Sequence, residues 1–263
     1  MSLKDYELEK IKELVLEAGN AILEIYNSAD FGVEHKADES PLTIADKKSN
    51  EIICRGIEAL ELNYPVISEE NTQIPFEIRK NYKRYWLIDP LDGTKEFINR
   101  NGDFTINIAL IEDKKPVFGI VYAVCENELY WALKGLGAFA EINAETSKLQ
   151  AKQFYINAKG IRVVASRSHL NEATKQLINK LNNPVISNRG SSLKFMMLAK
   201  GEADYYPRMS QVMEWDVAAA QIILEEAGGK VIDPDTEMAL EYNKMNMVVP
   251  AFIACGAEIE KFS

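Results

Sequence analysis

The residues in this chain that could do chemistry are mostly carboxylates. In Tyr85-Trp-Leu-Ile-Asp89-Pro-Leu-Asp92-Gly-Thr94, an apolar run ends in Asp89, and Pro90 with Gly93 forces a turn that brings Asp92 round beside it. At a strand end, the two carboxylates and the carbonyl of Leu91 could converge on one point. Two carboxylates about 4 Å apart repel by roughly 4 kcal/mol at an effective dielectric of 20. A divalent cation reverses that sign, and an oxygen-only donor set selects a hard ion such as Mg²⁺ over zinc or copper. The ordinary alternative is that Asp-Pro and Asp-Gly are simply good turn formers, and this stretch alone does not decide between the two.

Other acidic residues fall at element ends. Glu69-Glu70 follows the apolar run Pro65-Val-Ile-Ser68, where side chains emerge from a sheet. Asp216 follows Trp215 at the head of an Ala-rich helix, a place where the helix dipole favours an acid in any case. Thr43-Ile-Ala-Asp46 reads as a helix capping box. Each site has a bland explanation by itself. Together they suit a magnesium site holding more than one ion. Zinc has no ligand pattern here, because the chain carries only Cys54, Cys125, Cys255, His35 and His169, all scattered.

Elements must hold these residues in place. Leu3 to Ser28 places Leu8, Ile11, Val15, Ile22 and Ile25 at helical spacing. Asp38, Ser40 and Pro41 mark an irregular or hairpin stretch, and a second helix starts between Thr43 and Asp46. From Pro65 to Leu133 the texture is strand after strand with short turns, which predicts a largely antiparallel sheet. Beyond Lys148 strands and helices alternate: IRVVAS, a helix from about Asn171 to Leu181, PVIS, a helix from Ser191, ADYYP, then WDVAAAQIILEEAGG and strands near 230 and 252. Gly228 and Gly229 end the long helix. The division falls at 1–155, an α+β half that carries most of the acidic sites, and 156–263, an α/β half. No linker separates them, so they share a large interface.

Composition bounds the rest. The chain has 263 residues, 47% apolar and 27% charged, which excludes wholesale disorder. With 30 Lys and Arg against 40 Asp and Glu, the net charge of −10 repels a nucleic-acid polymer. No apolar run approaches the ~20 residues of a membrane span. The charged start MSLKDYELEK is no secretory signal, and three unpaired cysteines in apolar contexts read as buried, reduced thiols. The expected location is cytoplasmic, with peripheral attachment at the cytoplasmic face of the membrane left open. Monomer and homodimer both remain open.

Ser68-Glu69-Glu70, Trp86 to Thr94 and Glu214-Trp215-Asp216-Val-Ala-Ala resemble the paired motifs of the lithium-sensitive, magnesium-dependent phosphomonoesterases of the inositol monophosphatase superfamily. The match runs in order over nearly the whole chain. Within it, SPLTIAD, DPLDGTKEFINRNGDFTINIALI, VASRSH, GSSLKF and YYPR are similar to the bacterial CysQ type of 3′(2′),5′-bisphosphate nucleotidase. One departure is Met-Ser210-Gln211-Val-Met, where bacterial relatives tend to carry a Gly-Pro-Thr turn. The resemblance implies the same spacing from Arg208 to Asp216 as in those relatives, which keeps Asp216 in register.

The resemblance implies a layered αβαβα sandwich, a mixed α/β fold. It implies hydrolysis of adenosine 3′,5′-bisphosphate to AMP and phosphate, in sulfur assimilation and nucleotide recycling. It assigns Glu69, Asp89, the Leu91 carbonyl, Asp92 and Asp216 to two or three Mg²⁺ ions, with Asp89 bridging a pair. It makes Asp46 and Thr94 a carboxylate–hydroxyl relay for the attacking water, and counts Glu69 with them as catalytic. The amides of Gly93 and Thr94 would grip the phosphate, beside Glu69, Leu91, Asp92 and Asp216. Ser166, His169, Ser191, Lys194 and Arg208 match the nucleotide contacts. Without the resemblance, Lys194 reads as a solvated helix residue and His169 as a helix start. Phe195, Met196 and Met197 read as core. Two other readings stay open: an inositol or fructose phosphate phosphatase with the same metal motifs, and a non-catalytic metal- or nucleotide-binding regulator. The intact Asp46–Thr94 pair argues against the regulator.

Overall fold

A computed structural model describes residues 3, 5–28, 32, 34–35, 41–71, 73–167 and 170–258. Asp38, Ser40 and His169 lie outside the described residues. The first layer is α1 (Asp5–Tyr26) and α2 (Ile44–Ala59). They pack on one face of a seven-stranded sheet whose strands run in chain order: β1 (Val66–Ser68), β2 (Arg84–Asp92), β3 (Thr105–Glu112), β4 (Lys115–Ala123), β5 (Glu128–Leu133), β6 (Gly137–Ile142) and β7 (Glu145–Lys148). Only β1 and β2 are parallel. The short helix α3 (Thr94–Ile98) follows β2.

Period-two alternation sorts the sheet's side chains. Trp86, Ile88, Ile106, Ile108 and Ile120 face α1 and α2, meeting Ile11, Val15, Ile52 and Ile53. Tyr85, Leu87, Ala109, Ile111 and Val121 face the other way. There they meet a third layer formed by α5 (Leu193–Ala199) and α6 (Ala218–Glu226). This single core cluster also takes in Val164, Tyr206, Val231 and Ala254 from the second sheet, so both sheets pack on one core.

The second sheet contains β8 (Arg162–Ser166), β9 (Val185–Arg189), β10 (Tyr205–Arg208), β11 (Lys230–Ile232) and β12 (Phe252–Cys255), in the order β9-β8-β10-β12-β11. Its outer face, with Val163, Ala165 and Tyr205, packs against Ile178 of α4 (Glu172–Asn179). The layers run α1/α2, sheet, α5/α6, sheet, α4, which is the expected sandwich.

Three details differ from the sequence reading. The β6–β7 hairpin went unforeseen, because its Gly, Ala and Glu content is poor in strand formers. Cys54 and Cys255 are buried, but Cys125 is exposed, since it sits in the turn between β4 and β5 and not in a strand. The helix expected from Ser191 begins at Leu193, because Ser191 has a left-handed φ of 51°.

Candidate active site

The register of β2 against β3 explains how Asp89 and Asp92 come together. Three residues apart on a regular strand, they would point to opposite faces. Asp89 pairs with Asn107 and Asp92 pairs with Thr105, so Pro90 and Leu91 form a bulge opposite one residue. Both carboxylates therefore face the α5/α6 layer. Leu91 turns its side chain into the α1/α2 core, and its carbonyl lies 3.5 Å from the Thr94 hydroxyl. Gly93 follows at φ 97°, and a Cβ there would come within 3.0 Å of the Asp103 carbonyl, so only glycine fits.

Glu69 leaves β1 on the same side, its N–H bonded to the Ile88 carbonyl. Asp216 arrives from the third layer. It lies in a 3₁₀ turn, Glu214–Asp216, ahead of α6 rather than inside the helix, and its carboxylate accepts the Met213 N–H at 3.0 Å. Carboxylate oxygens of Glu69, Asp89 and Asp216 lie within 4.8 Å of one another. Burial pushes the Asp89 carboxyl well above the ordinary aspartate range, and neighbouring Glu69, Asp92 and Asp216 add to the shift. Asp216 is raised for the same reasons, burial first and then Asp92 and Glu69. An all-oxygen cluster of mutually repelling, desolvated carboxylates fits a hard divalent cation.

Asp92 sits beside this cluster. Its Oδ2 accepts from Ser191 Oγ at 2.6 Å, from Ser192 N at 2.8 Å and from Ser192 Oγ at 3.2 Å. Ser192 Oγ also lies 3.2 Å from the Asp216 carbonyl, so one residue spans two of the acidic elements. Sequence reasoning passed over Ser192. Its position in Gly190-Ser191-Ser192, just ahead of α5, was the available signal.

The expected capping box on α2 is present: Asp46 Oδ2 accepts from Thr43 N at 2.8 Å, and Thr43 Oγ1 accepts from Ala45 N at 3.2 Å. Thr43 Oγ1 also donates to Asp46 Oδ2. The other oxygen of Asp46 accepts from Thr94 Oγ1 at 3.0 Å. Asp46 therefore caps α2 with one oxygen and accepts from Thr94 with the other. Its pKa is raised by burial, against the opposing pull of hydrogen bonds from Thr43 and Thr94.

A cleft of about 380 Å³ lies over this site; Asp46 and Asp89 are buried behind its lining. Glu69, Asp92, Gly93, Thr94, Ser166, Ser191, Lys194, Arg208 and Asp216 line it. Lys194 is 3% exposed, donates to the Ser191 carbonyl at 2.5 Å, and has its pKa pushed down to about 8 by burial and by Arg208. Phe195 and Phe252 stack, with Tyr206 edge-on to both, as an aromatic group at the cleft wall. Phe195 is thus core, as expected, and cleft lining as well. Gln211 from the departing loop also lines the cleft, and Met209 ties that loop down through Asn171 and Thr174.

A layered sandwich with a carboxylate cluster at the edge of its main sheet defines a metal-dependent phosphomonoesterase scaffold. The inositol monophosphatase family profile matches residues 5–259, and the chain belongs to that family. The 3′(2′),5′-bisphosphate nucleotidase CysQ of Salmonella typhimurium is 41% identical over 227 residues, covering 86% of this chain and 90% of the relative. The crystal structure of CysQ from Bacteroides thetaiotaomicron, a bacterial member of the family, superposes with a TM-score of 0.82 at 37% identity, covering 95% of this chain and 96% of that one. The Thermotoga maritima IMPase shares the fold, with a TM-score of 0.78 at 24% identity over 97% of this chain and 93% of its own. No helix among the described residues is long and apolar enough to cross a membrane.

Proposed function

We propose that this protein is a Mg²⁺-dependent 3′(2′),5′-bisphosphate nucleotidase that releases phosphate from adenosine 3′,5′-bisphosphate and leaves AMP. The observation that carries this reading is the convergence of Glu69, Asp89 and Asp216 beside the Asp46–Thr94 hydrogen bond, in a cleft that also holds Lys194 and Arg208. Residues 1–155 supply the metal and phosphate side, and 156–263 supply nucleotide recognition. The protein works in the cytoplasm.

Glu69, Asp89, the Leu91 carbonyl, Asp92 and Asp216 would hold two or three Mg²⁺ ions. Bound there, the ions lower the pKa of a water, neutralise the phosphoryl oxygens and stabilise the leaving alkoxide. Thr94 orients the attacking water and passes its proton toward Asp46, whose raised pKa makes it a better base than an exposed aspartate. The amides of Gly93 and Thr94 hold phosphate oxygens as the new P–O bond forms and the bond to the ribose oxygen breaks. Ser166, Ser191, Lys194 and Arg208 fix the nucleotide and its second phosphate, with His169 contributing near the sugar or base.

The test is kcat/KM with Mg²⁺ for adenosine 3′,5′-bisphosphate against inositol 1-phosphate and fructose 1,6-bisphosphate. Preference for the nucleotide by tenfold or more is expected. Preference for inositol 1-phosphate or the fructose ester would overturn the nucleotide assignment. Release from none of the three would make the protein a binder.

A further inference from the structure

Asp103 lies outside the acidic cluster and the cleft lining, yet it joins the loops that build both. It sits between α3 and β3, only 2% exposed. Its Oδ2 accepts the Gly190 N–H at 2.8 Å and pairs with Arg167 at 3.0 Å, while Oδ1 pairs with Arg189 at 2.9 Å. Every one of these partners belongs to the second half of the chain. Arg167 directly follows Ser166 at the end of β8, and Arg189 ends the neighbouring parallel strand β9, with Ser166 and Arg189 in register. The Arg189 carbonyl accepts from the Arg167 N–H and from Lys194 Nζ, each at 3.4 Å. Two and three residues beyond Arg189, Ser191 and Ser192 hold Asp92.

A buried carboxylate facing two guanidinium groups and an amide N–H forms charge-assisted hydrogen bonds, which are short and directional. The backbone leaves little slack, since a Cβ on Gly190 would lie 2.7 Å from the Asp103 Cβ. Moving Asp103 would shift the Arg189 carbonyl that helps anchor the Lys194 ammonium. It would also shift the strand end that carries Ser166.

We infer that Asp103 is a positioning residue for substrate selectivity, clasping the loops of Ser166, Ser191 and Lys194 against the metal side of the cleft. The inference rests on the proposed nucleotidase function, in which those residues read the nucleotide. Arg167 and Arg189 are the second-half members of the clasp, and Arg189 is further held by Glu126.

The experiment compares kcat and KM of wild type, Asp103→Asn, Asp103→Glu and Arg167→Gln on adenosine 3′,5′-bisphosphate and inositol 1-phosphate, with each variant's melting temperature measured alongside. All assays run well below the lowest melting temperature. Asp103→Asn is expected to raise KM for the bisphosphate about tenfold, change kcat less than about threefold, and raise KM for inositol 1-phosphate much less. Asp103→Glu keeps the charge and should recover part of the loss. Arg167 is 43% exposed, so Arg167→Gln provides a folded variant even if Asp103→Asn is not recovered, with a KM rise of several-fold expected. A lower melting temperature with both KM values unchanged would reduce Asp103 to a structural tie and overturn the inference. Equal KM rises on both substrates would overturn it too. If the wild type itself fails on the bisphosphate, the proposed function falls; if the wild type cleaves it and the variants do so equally well, only the role of Asp103 falls.

Discussion

The Thr94 hydroxyl donates to Asp46 Oδ1 at 3.0 Å, linking the first turn of α2 to the turn after β2. The other Asp46 oxygen is saturated by Thr43, so the carboxylate has little freedom to rotate. A fixed acceptor next to a hydroxyl suits water activation, where the interaction counts chiefly in the transition state.

Thr94→Val removes the hydroxyl while keeping the side chain's shape. The expected result is a fall in kcat of about 100-fold or more, the scale of general acid–base catalysis, with KM changed little. Steady-state kinetics on the bisphosphate checks this. A change confined to KM would move Thr94 from catalysis to binding.

The carboxylate cluster predicts proton release on metal binding. Burial first, then neighbouring carboxylates, raises Asp89 and Asp216 well above their ordinary range, so the metal-free site retains protons that a cation must displace. Adding Mg²⁺ to chelator-treated protein in weak buffer, at a series of acidic to neutral pH values, should release protons wherever those carboxyls are still protonated and raise the melting temperature. Asp89→Asn should abolish activity, shrink both signals and still fold. An Asp89→Asn enzyme with near-normal kcat would contradict a bridging role.

Lithium should inhibit by occupying a magnesium position, an expectation carried by membership of the inositol monophosphatase family and not by the geometry of the site. The measurement is initial rate against Mg²⁺ at several Li⁺ concentrations. Full activity at roughly tens of millimolar Li⁺ would count against a site in which the two ions compete.

The sequence was most informative where local chemistry governs position. Pro90 and Gly93 punctuate the Asp89–Asp92 stretch, Thr43 and Asp46 spell a cap, and alternation marks β2 to β5, so these features were legible in one dimension. Convergence was less legible. Asp216 meets Glu69 and Asp89 only because α6 packs on the sheet face carrying Leu87 and Val121, a contact between distant segments. Their shared acidity at element ends suggested the link, and the motif resemblance, not periodicity, assigned it. Ser192 and Asp103 were passed over for a related reason: serine and aspartate beside glycine resemble any turn, and their roles arise from partners about 100 and 87 positions away.

Lys194 and Arg208 give the last prediction, which joins selectivity to pH. A protein of net charge −10 with a carboxylate-lined metal site repels the far end of a bisphosphate unless cations stand there. Charge-assisted contacts contribute about 1.5–3 kcal/mol each, so Lys194→Ala or Arg208→Ala should cost tenfold or more in kcat/KM on the bisphosphate and little on inositol 1-phosphate. Lys194 also titrates within reach of ordinary assays. Burial, reinforced by Arg208, pushes its pKa down to about 8, so the free enzyme carries the charge below that pH and loses it above. A bound phosphate favours the charged form and draws the pKa back up, which keeps the saturated complex protonated to higher pH. The loss should therefore appear as a rise in KM for the bisphosphate above pH 8, with kcat flat over the same range. Inositol 1-phosphate, lacking the second phosphate, should show no such rise, and Lys194→Ala should remove it from the bisphosphate profile. A KM for the bisphosphate that stays level from pH 7 to 9.5 would mean that the ammonium of Lys194 does not hold the second phosphate.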